Sequence, residues 1–221
     1  MSQEIVKRAS DLINSKADYR EGGMEGYAAK ENMSRGIIIN GVAGTGKTTL
    51  AKELAKQLDF KHIELDDYYF HWDTEIPLTS SPTREEIREY VMNDISKQSR
   101  FVMSGVIGST LWDLVNPLFD LAALMMVPVE IRMERLRARE YSRYGKRILE
   151  GGDMYEFTRK FFSDSELYET GVHPTVPVTL ERHERWAAEL LCPVLRLDGT
   201  KPISENVIYL IEQYKLLNLI E

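Results

Sequence analysis

The feature that most constrains this chain is a glycine-rich segment that matches the pattern G-x-x-x-x-G-K-[ST] in full. Its residues are Gly41, Val42, Ala43, Gly44, Thr45, Gly46, Lys47 and Thr48. A short β-rich run at residues 36–40 precedes the segment, and leucines and alanines at helical spacing follow it. A glycine-rich turn between a buried strand and a helix is typical of a loop that binds phosphate groups through backbone N–H groups.

This loop predicts a binding site for ATP and Mg²⁺. Its glycines let backbone N–H groups approach the phosphates without a clash from Cβ, and the following helix directs its positive end toward them. Lys47 is expected to contact the β- and γ-phosphates, the Thr48 hydroxyl to bind Mg²⁺, and Thr49 to complete the nucleotide site. A glycine-rich turn without a ligand is the alternative interpretation of the same residues.

Strands and helices alternate along the rest of the chain. Further strands are predicted at residues 61–65, 100–104, 121–127 and 194–197, and a capping box at Thr83 begins one of the helices. This alternation predicts an α/β fold in three layers, with a parallel sheet of about five strands and helices on both faces. Ligands bind such sheets at the carboxyl ends of the strands, where Gly41, Asp66 and Gly105 fall.

Composition narrows the class of protein. A net charge of −7 argues against general affinity for nucleic acid or for anionic membranes. The single cysteine, Cys192, excludes an internal disulfide framework and fits a reducing compartment. No apolar run is long enough to span a bilayer, so a cytoplasmic location is expected. The sequence leaves open whether the protein forms a homodimer.

Two acids, Asp66 and Asp67, follow the second predicted strand beside the glycine-rich loop. A carboxylate there can accept a proton from an attacking hydroxyl or hold water on Mg²⁺. Because side chains alternate along an extended chain, only one acid is expected to face the metal. We predict that this acid is Asp66, with Thr48 as the other metal-binding residue. A turn with both acids in solvent is the alternative.

The segment LDDYY at residues 65–69 resembles the Asp-Asp-Phe-Tyr-type motif of uridine kinases and nicotinamide riboside kinases, which are P-loop kinases. The resemblance implies that Asp66 is the catalytic base. It also implies that Tyr68 or Tyr69 contacts the phosphoryl acceptor, and Asp67 is expected to lie on the acceptor side with them.

The third predicted strand ends in the segment SGVIG at residues 104–108. This segment resembles the glycine-rich turn of shikimate kinases more than the Asp-Gly of nucleoside monophosphate kinases. Gly105 is therefore expected to border the acceptor. No Walker B aspartate is visible here, which leaves Asp66 or Asp67 to serve Mg²⁺ as well.

Arg135, Arg139 and Arg143 are spaced four residues apart and share one face of the helix that follows Pro128. Their pattern resembles the lid of the uridine and adenylate kinase groups. The resemblance implies that Arg135 and Arg139 bind the nucleotide, and that Arg139 and Arg143 act in catalysis with Lys47. The alternative is a solvated face on which neighbouring glutamates pair with the arginines.

These observations predict two regions in the chain. Residues 1–34 are expected to form an N-terminal helical extension and a loop, and residues 35–221 a P-loop kinase domain. An Arg-rich lid and an acceptor-binding insert are expected around residues 135–175. The predicted activity is transfer of the γ-phosphate of ATP to a small molecule. A macromolecular or conjugated acceptor and a nucleotide-gated ATPase or switch are the alternatives.

Overall fold

The computed structural model describes residues 34–71, 74 and 80–217. Apart from Ser34, the predicted N-terminal extension at residues 1–34 lies outside the described residues. None of the helices in the described part of the chain is long and apolar enough to cross a membrane.

A single parallel sheet forms the centre of the described structure. Its strands are β1 (Arg35–Asn40), β2 (Lys61–Glu64), β3 (Arg100–Ser104), β4 (Phe119–Met126) and β5 (Val194–Asp198). The strands are ordered β2-β3-β1-β4-β5, and every neighbouring pair is parallel. Helices cover both faces, so β1 and β4 are almost entirely buried and apolar. The predicted α/β fold with a five-stranded parallel sheet is confirmed.

Helices connect the strands. They are α1 (Lys47–Leu58), α2 (Asp66–Tyr69), α3 (Arg84–Ser96), α4 (Trp112–Val115), α5 (Val129–Tyr144), α6 (Tyr155–Glu166), α7 (Leu180–Glu189) and α8 (Ile203–Leu216). The predicted capping box is present at the start of α3. The Thr83 N–H donates to the Glu86 carboxylate at 2.8 Å, and the Glu86 N–H donates to the Thr83 hydroxyl at 3.3 Å.

Two apolar cores lie on opposite faces of the sheet. Successive side chains of β1 point to opposite faces, so its isoleucines fill both cores. Ile38 packs with residues of α3 and α7, whereas Ile37 and Ile39 pack with residues of α1 and α8. All three isoleucines are fully buried. The central strand is therefore fixed from both sides, and it ends where the glycine-rich loop begins.

The second strand ends one residue earlier than predicted. Leu65 is buried and has helical backbone angles, and its N–H donates to the Ser104 carbonyl at 2.8 Å. Asp66 and Asp67 consequently lie on the helical turn α2 rather than on an extended chain. The prediction that alternation along an extended strand separates these two acids was therefore wrong. The fourth strand is also shifted from the predicted 121–127, because it begins at Phe119 and ends at Met126.

A buried arginine joins the helices beside the sheet. Arg132 of α5 is fully buried, and its Nη1 donates to the Ser165 carbonyl at 2.6 Å. Its guanidinium also pairs with Glu169 and lies 5.2 Å from the ring centroid of Tyr168. The Tyr168 hydroxyl in turn lies 2.8 Å from Nδ1 of His183 on α7. These contacts form one polar cluster that connects α5 to the end of α6 and to α7.

We expect Arg132→Ala to lower the free energy of unfolding by about 2–4 kcal/mol, because it leaves a buried cavity and an unpaired carbonyl. Arg137→Ala on the same helix is a matched control, since Arg137 pairs with Glu166 at the exposed surface. The control should cost less than about 1 kcal/mol. Urea denaturation measures both. Equal losses in the two variants would contradict a structural role for Arg132.

The stability contributed by His183 should depend on pH. Burial, reinforced by the charges of Lys47 and Arg182, lowers the pKa of His183 from 6.5 to about 3. Between these values the unfolded chain binds more protons, so stability falls as the pH drops below 6.5. His183→Gln lacks this proton uptake, so its unfolding free energy should fall less steeply than that of the wild type. The exposed His71→Gln is the control and should follow the wild type. A constant difference between wild type and His183→Gln from pH 7 to pH 4.5 contradicts the prediction.

Candidate active site

The glycine-rich loop connects β1 to α1 in a conformation that leaves its N–H groups open. Gly46 precedes α1 with φ +90°, and no side chain caps the helix, so its first N–H groups are available to a ligand. Gly44 has φ +84°, and a Cβ there would lie 2.6 Å from the Arg132 carbonyl oxygen of α5. Thr45 is buried and internal to the loop, where its hydroxyl donates to the Val42 carbonyl at 2.8 Å.

Lys47 is held at the start of α1 with only 8% of its surface exposed. Burial lowers the pKa of its ammonium group. The negative charges of Asp66 and Glu64 oppose that shift, and the nearby charge of Arg139 adds to it. The ammonium group is therefore buried within electrostatic range of two carboxylates and one arginine.

A cavity of about 900 Å³ opens over the loop and the first turns of α1. Its wall is strongly positive, with six Lys and Arg residues and one carboxylate, that of Glu53. The six cationic residues are Lys47, Lys52, Lys56, Arg135, Arg139 and Arg143. The structure thus brings the three arginines of the predicted face together with Thr48, Thr49 and the loop glycines Gly44 and Gly46. This charge suits a polyphosphate ligand.

The three arginines differ in their protein contacts. Arg135 donates from Nη1 to the Gly199 carbonyl at 3.0 Å, which ties α5 to the loop after β5. Arg139 donates from Nε to Oε1 of the buried Glu140 carboxylate at 2.7 Å. Nη1 of Arg143 lies 3.8 Å from the same Oε1 atom. The alternative of glutamate pairing therefore holds for Arg139 and, more loosely, for Arg143, although both still line the cavity.

A second cavity of about 590 Å³ lies against the other side of the loop. The two cavities share Lys47, Thr48, Lys52, Arg139 and Arg143. The rest of the second cavity is lined by loop residues Val42 and Ala43, by the region of β2 and α2, and by α6 and the segment before α7. The glycine-rich loop and the middle of α5 therefore separate two spaces and face both.

Three predicted acceptor-side residues line the second cavity, namely Asp66, Asp67 and Tyr69. Tyr68 is placed elsewhere, because its hydroxyl donates to Asp94 of α3 at 2.8 Å. The structure therefore favours Tyr69 over its neighbour as the aromatic residue of this site.

Gly105, which follows β3, allows the chain to pack closely against Leu65. A Cβ at this position would lie 2.7 Å from Cβ of Leu65, and its φ is +135°. The glycine thus lets the turn after β3 lie against Leu65. The next residue, Val106, lines the second cavity in its place.

The comparisons with known proteins agree with this loop and fold. Residues 37–158 match the family model described as "AAA domain". The chain is also 34% identical over 180 residues to "Uncharacterized protein YqaC" of Bacillus subtilis (strain 168), a match that covers 79% of this chain and 94% of that one. The chain belongs to the AAA domain family. The family match runs from β1 into α6 and includes the whole P-loop, so the predicted membership of the P-loop proteins is confirmed, whereas the predicted domain bounds of 35–221 stay a prediction.

Solved structures with low identity are similar to this AAA domain. One is a shikimate kinase from Bacteroides thetaiotaomicron, with 17% identity, coverage of 82% of this chain and 98% of that chain, and a TM-score of 0.48. Another is a putative kinase from Chloroflexus aurantiacus J-10-fl, with 18% identity, coverage of 83% and 97%, and a TM-score of 0.47.

The AAA domain contains an acidic residue at its site that the sequence prediction missed. Glu64 ends β2 opposite Ser104 of β3, whose hydroxyl donates to Glu64 Oε2 at 2.9 Å. The same hydroxyl lies 2.8 Å from Nε2 of His62. The other carboxylate oxygen, Oε1, is buried without a hydrogen bond. Burial raises the pKa of Glu64, while the hydroxyls of Thr48 and Ser104 and the charge of Lys47 oppose the rise.

The position of Glu64 in the sequence does indicate a role at the site. A carboxylate as the last residue of a strand beside the loop lies at the ligand-binding edge of the sheet. The predicted strand ended one residue later, at Leu65. Only the acids that follow Leu65, Asp66 and Asp67, were therefore predicted as site residues. Glu64 is therefore a further candidate for the acid that serves Mg²⁺, beside the predicted Asp66 or Asp67.

The oxygen atoms near Thr48 fit a magnesium ion. Among the described residues no group of three or more His, Cys, Asp or Glu side chains forms a metal site by itself. Mg²⁺ does not require one, since it usually combines one or two protein oxygens with phosphates and water. The Thr48 hydroxyl and the unpartnered Oε1 of Glu64 are such oxygens. Whether Asp66 also binds the metal stays a prediction.

We expect Mg²⁺ to strengthen ADP binding in the wild type and to do so much less in Glu64→Gln. Loss of a carboxylate beside a metal typically weakens metal affinity about 10- to 100-fold. Calorimetric titration with ADP, in Mg²⁺ and in EDTA, separates the two contributions. ADP affinity in EDTA should stay near that of the wild type, and the exposed Glu89→Gln is the charge-matched control. An unchanged Mg²⁺ effect in Glu64→Gln would contradict this role.

Proposed function

We propose that this protein is a kinase that transfers the γ-phosphate of ATP to a hydroxyl group of a small molecule. The observation that supports this most is the meeting of two cavities at Lys47, Thr48, Arg139 and Arg143. One cavity is rich in cations and suits a triphosphate, and the other contains carboxylates that can accept a proton. A phosphoryl group that crosses between them stays in contact with the same cations.

The nucleotide side uses the loop and α5. The open N–H groups at the start of α1 and the ammonium group of Lys47 bind the β- and γ-phosphates. Arg135 lines only the nucleotide cavity, whereas Arg139 and Arg143 line both. The latter two are therefore suited to neutralise the charge of the group in transfer, as proposed for catalysis.

Thr48 and Glu64 would hold Mg²⁺, which, when bound, neutralises charge on the phosphate oxygens. Glu64 is oriented for this task by Ser104. The protein's own part is to fix the carboxylate with one oxygen engaged and the other free.

The acceptor side uses Asp66. This residue is half-buried on the wall of the second cavity, and its charge acts on both Lys47 and Tyr69. A carboxylate at this place can accept the proton of an attacking hydroxyl. Asp67 lines the same cavity but is exposed, so it is better suited to contact the acceptor than to accept the proton in a shielded site.

The size of the second cavity supports a small acceptor. At about 590 Å³ it falls within the range of pockets that enclose small molecules. A macromolecular acceptor or a nucleotide-gated switch does not require a second cavity of this size with a carboxylate on its wall. These alternatives are outcomes of the test that follows.

Incubation with Mg-ATP and a panel of small alcohols should give a phosphorylated product, detected by mass spectrometry. With the best acceptor, Asp66→Asn should lower kcat by about 10²–10⁴-fold while ATP affinity is kept. Asp67→Asn should lower kcat less. Lys47→Met, which removes the phosphate-binding cation, is the inactive reference. Acceptor-independent ATP hydrolysis with no phosphorylated alcohol would contradict the kinase and favour the switch. A larger loss in Asp67→Asn would reverse the two roles.

A further inference from the structure

The charges of the second cavity are distributed unevenly. All four of its Lys and Arg residues belong to the wall shared with the nucleotide cavity. The described residues that line only the second cavity contain no Lys or Arg, yet they include five carboxylates. These are Glu64, Asp66, Asp67, Glu140 and Asp164. The part of the wall that the second cavity does not share with the nucleotide cavity is therefore acidic.

Protein contacts compensate some of these carboxylates. Glu140 is paired with Arg139, and Asp164 is paired with Lys160 of the same helix at 2.8 Å. The negative charge of Asp66 is partly balanced by the positive charge of Lys47. No described side chain forms a salt bridge or hydrogen bond with Asp67. Negative charge on this wall thus remains available to a ligand.

One further guanidinium, that of Arg182, lies near the second cavity without lining it. The charge of Arg182 acts on Tyr69, but its Nη1 donates to the Pro177 carbonyl at 2.6 Å. Arg182 is not among the residues that line the cavity. The four shared cations line both cavities, and in the proposed function they are engaged by the triphosphate.

The rest of the acidic wall is aromatic. Phe157 and Phe161 of α6 line the cavity, as do Tyr69 and Phe70 near α2. The Tyr69 hydroxyl accepts a hydrogen bond from the Gly108 N–H at 3.0 Å and keeps its own proton to donate. Burial raises the pKa of Tyr69, which favours this neutral form. The wall therefore offers apolar rings, one hydroxyl donor and carboxylate acceptors.

We infer that the phosphoryl acceptor is an alcohol without an anionic group, with a ring or another bulky apolar body. Its hydroxyl groups, or a positively charged amine, bind Asp67, and its body packs on the phenylalanines of α6. A carboxylate or phosphate on the acceptor would meet the negative charge of Asp67, and the described residues that line only this cavity provide no Lys or Arg to compensate it. This inference rests on the proposed kinase function.

Matched acceptor pairs test the inference with the full-length protein. Each pair compares an uncharged or cationic alcohol with an anionic derivative of the same skeleton. Examples are a nucleoside with its 5′-monophosphate and an aromatic alcohol with its carboxylated analogue. Phosphoryl transfer from Mg-ATP should favour the non-anionic member by about 10²-fold or more in kcat/KM, since like charges are brought together in the other case. Equal or preferred transfer to the anionic members overturns the inference and leaves the kinase function intact. No phosphorylated product from any member, with Mg-ATP bound, overturns the kinase function together with the inference.

Variants of α6 locate the body of the acceptor. Phe161→Ala should raise the KM for the preferred alcohol about tenfold, with the KM for ATP unchanged. Phe162→Ala is the matched control, because Phe162 is the next residue on the helix and does not line the cavity. A loss of similar size in both variants would indicate general destabilisation and would overturn the assignment of Phe161. Asp67→Lys should raise kcat/KM for anionic members relative to neutral ones, and an unchanged ratio would overturn the role of Asp67.

Discussion

The site depends on the close approach of α5 to the glycine-rich loop at Gly44. A side chain there would collide with the Arg132 carbonyl oxygen, so only glycine permits this packing at the observed backbone angles. The approach brings the face that carries Arg135, Arg139 and Arg143 over the start of α1. Without it the phosphate-binding N–H groups and the arginines would belong to separate surfaces. The loop glycines therefore serve both ligand access and the packing of a neighbouring helix.

Sequence analysis predicted the parts of this protein that depend on local pattern. The β-rich run of β1, the motif at residues 41–48 and the capping box at Thr83 each contain their signal within a few neighbouring residues. The spacing of the three arginines similarly fixed which helix face they share. Alternation of strands and helices then sufficed for the class of fold, because parallel strands require helical connections.

Residues whose roles depend on distant contacts were not predicted. Ser104 of another strand orients Glu64. Tyr69 lines the second cavity whereas Tyr68 bonds to Asp94 of α3, a choice between the two tyrosines that the sequence left open. Arg132 lies on the same helix as the exposed arginines and differs from them only through partners about 33 residues or more away. Phe157 and Phe161 likewise line a cavity whose opposite wall comes from α2. Spacing along one helix does not contain this information.

The polar cluster around Arg132 has a consequence for how the two ligands of the site act on each other. Helix α5 contributes arginines to the nucleotide cavity, and through Arg132 and Ser165 it is joined to α6, which contributes phenylalanines to the other cavity. A displacement of α5 toward bound phosphate therefore moves both walls together. If binding at one cavity displaces α5, the affinity at the other cavity changes, and this change is the same factor in both directions. For the proposed kinase, such linkage would favour an order of addition in which the nucleotide shapes the second cavity before the acceptor enters.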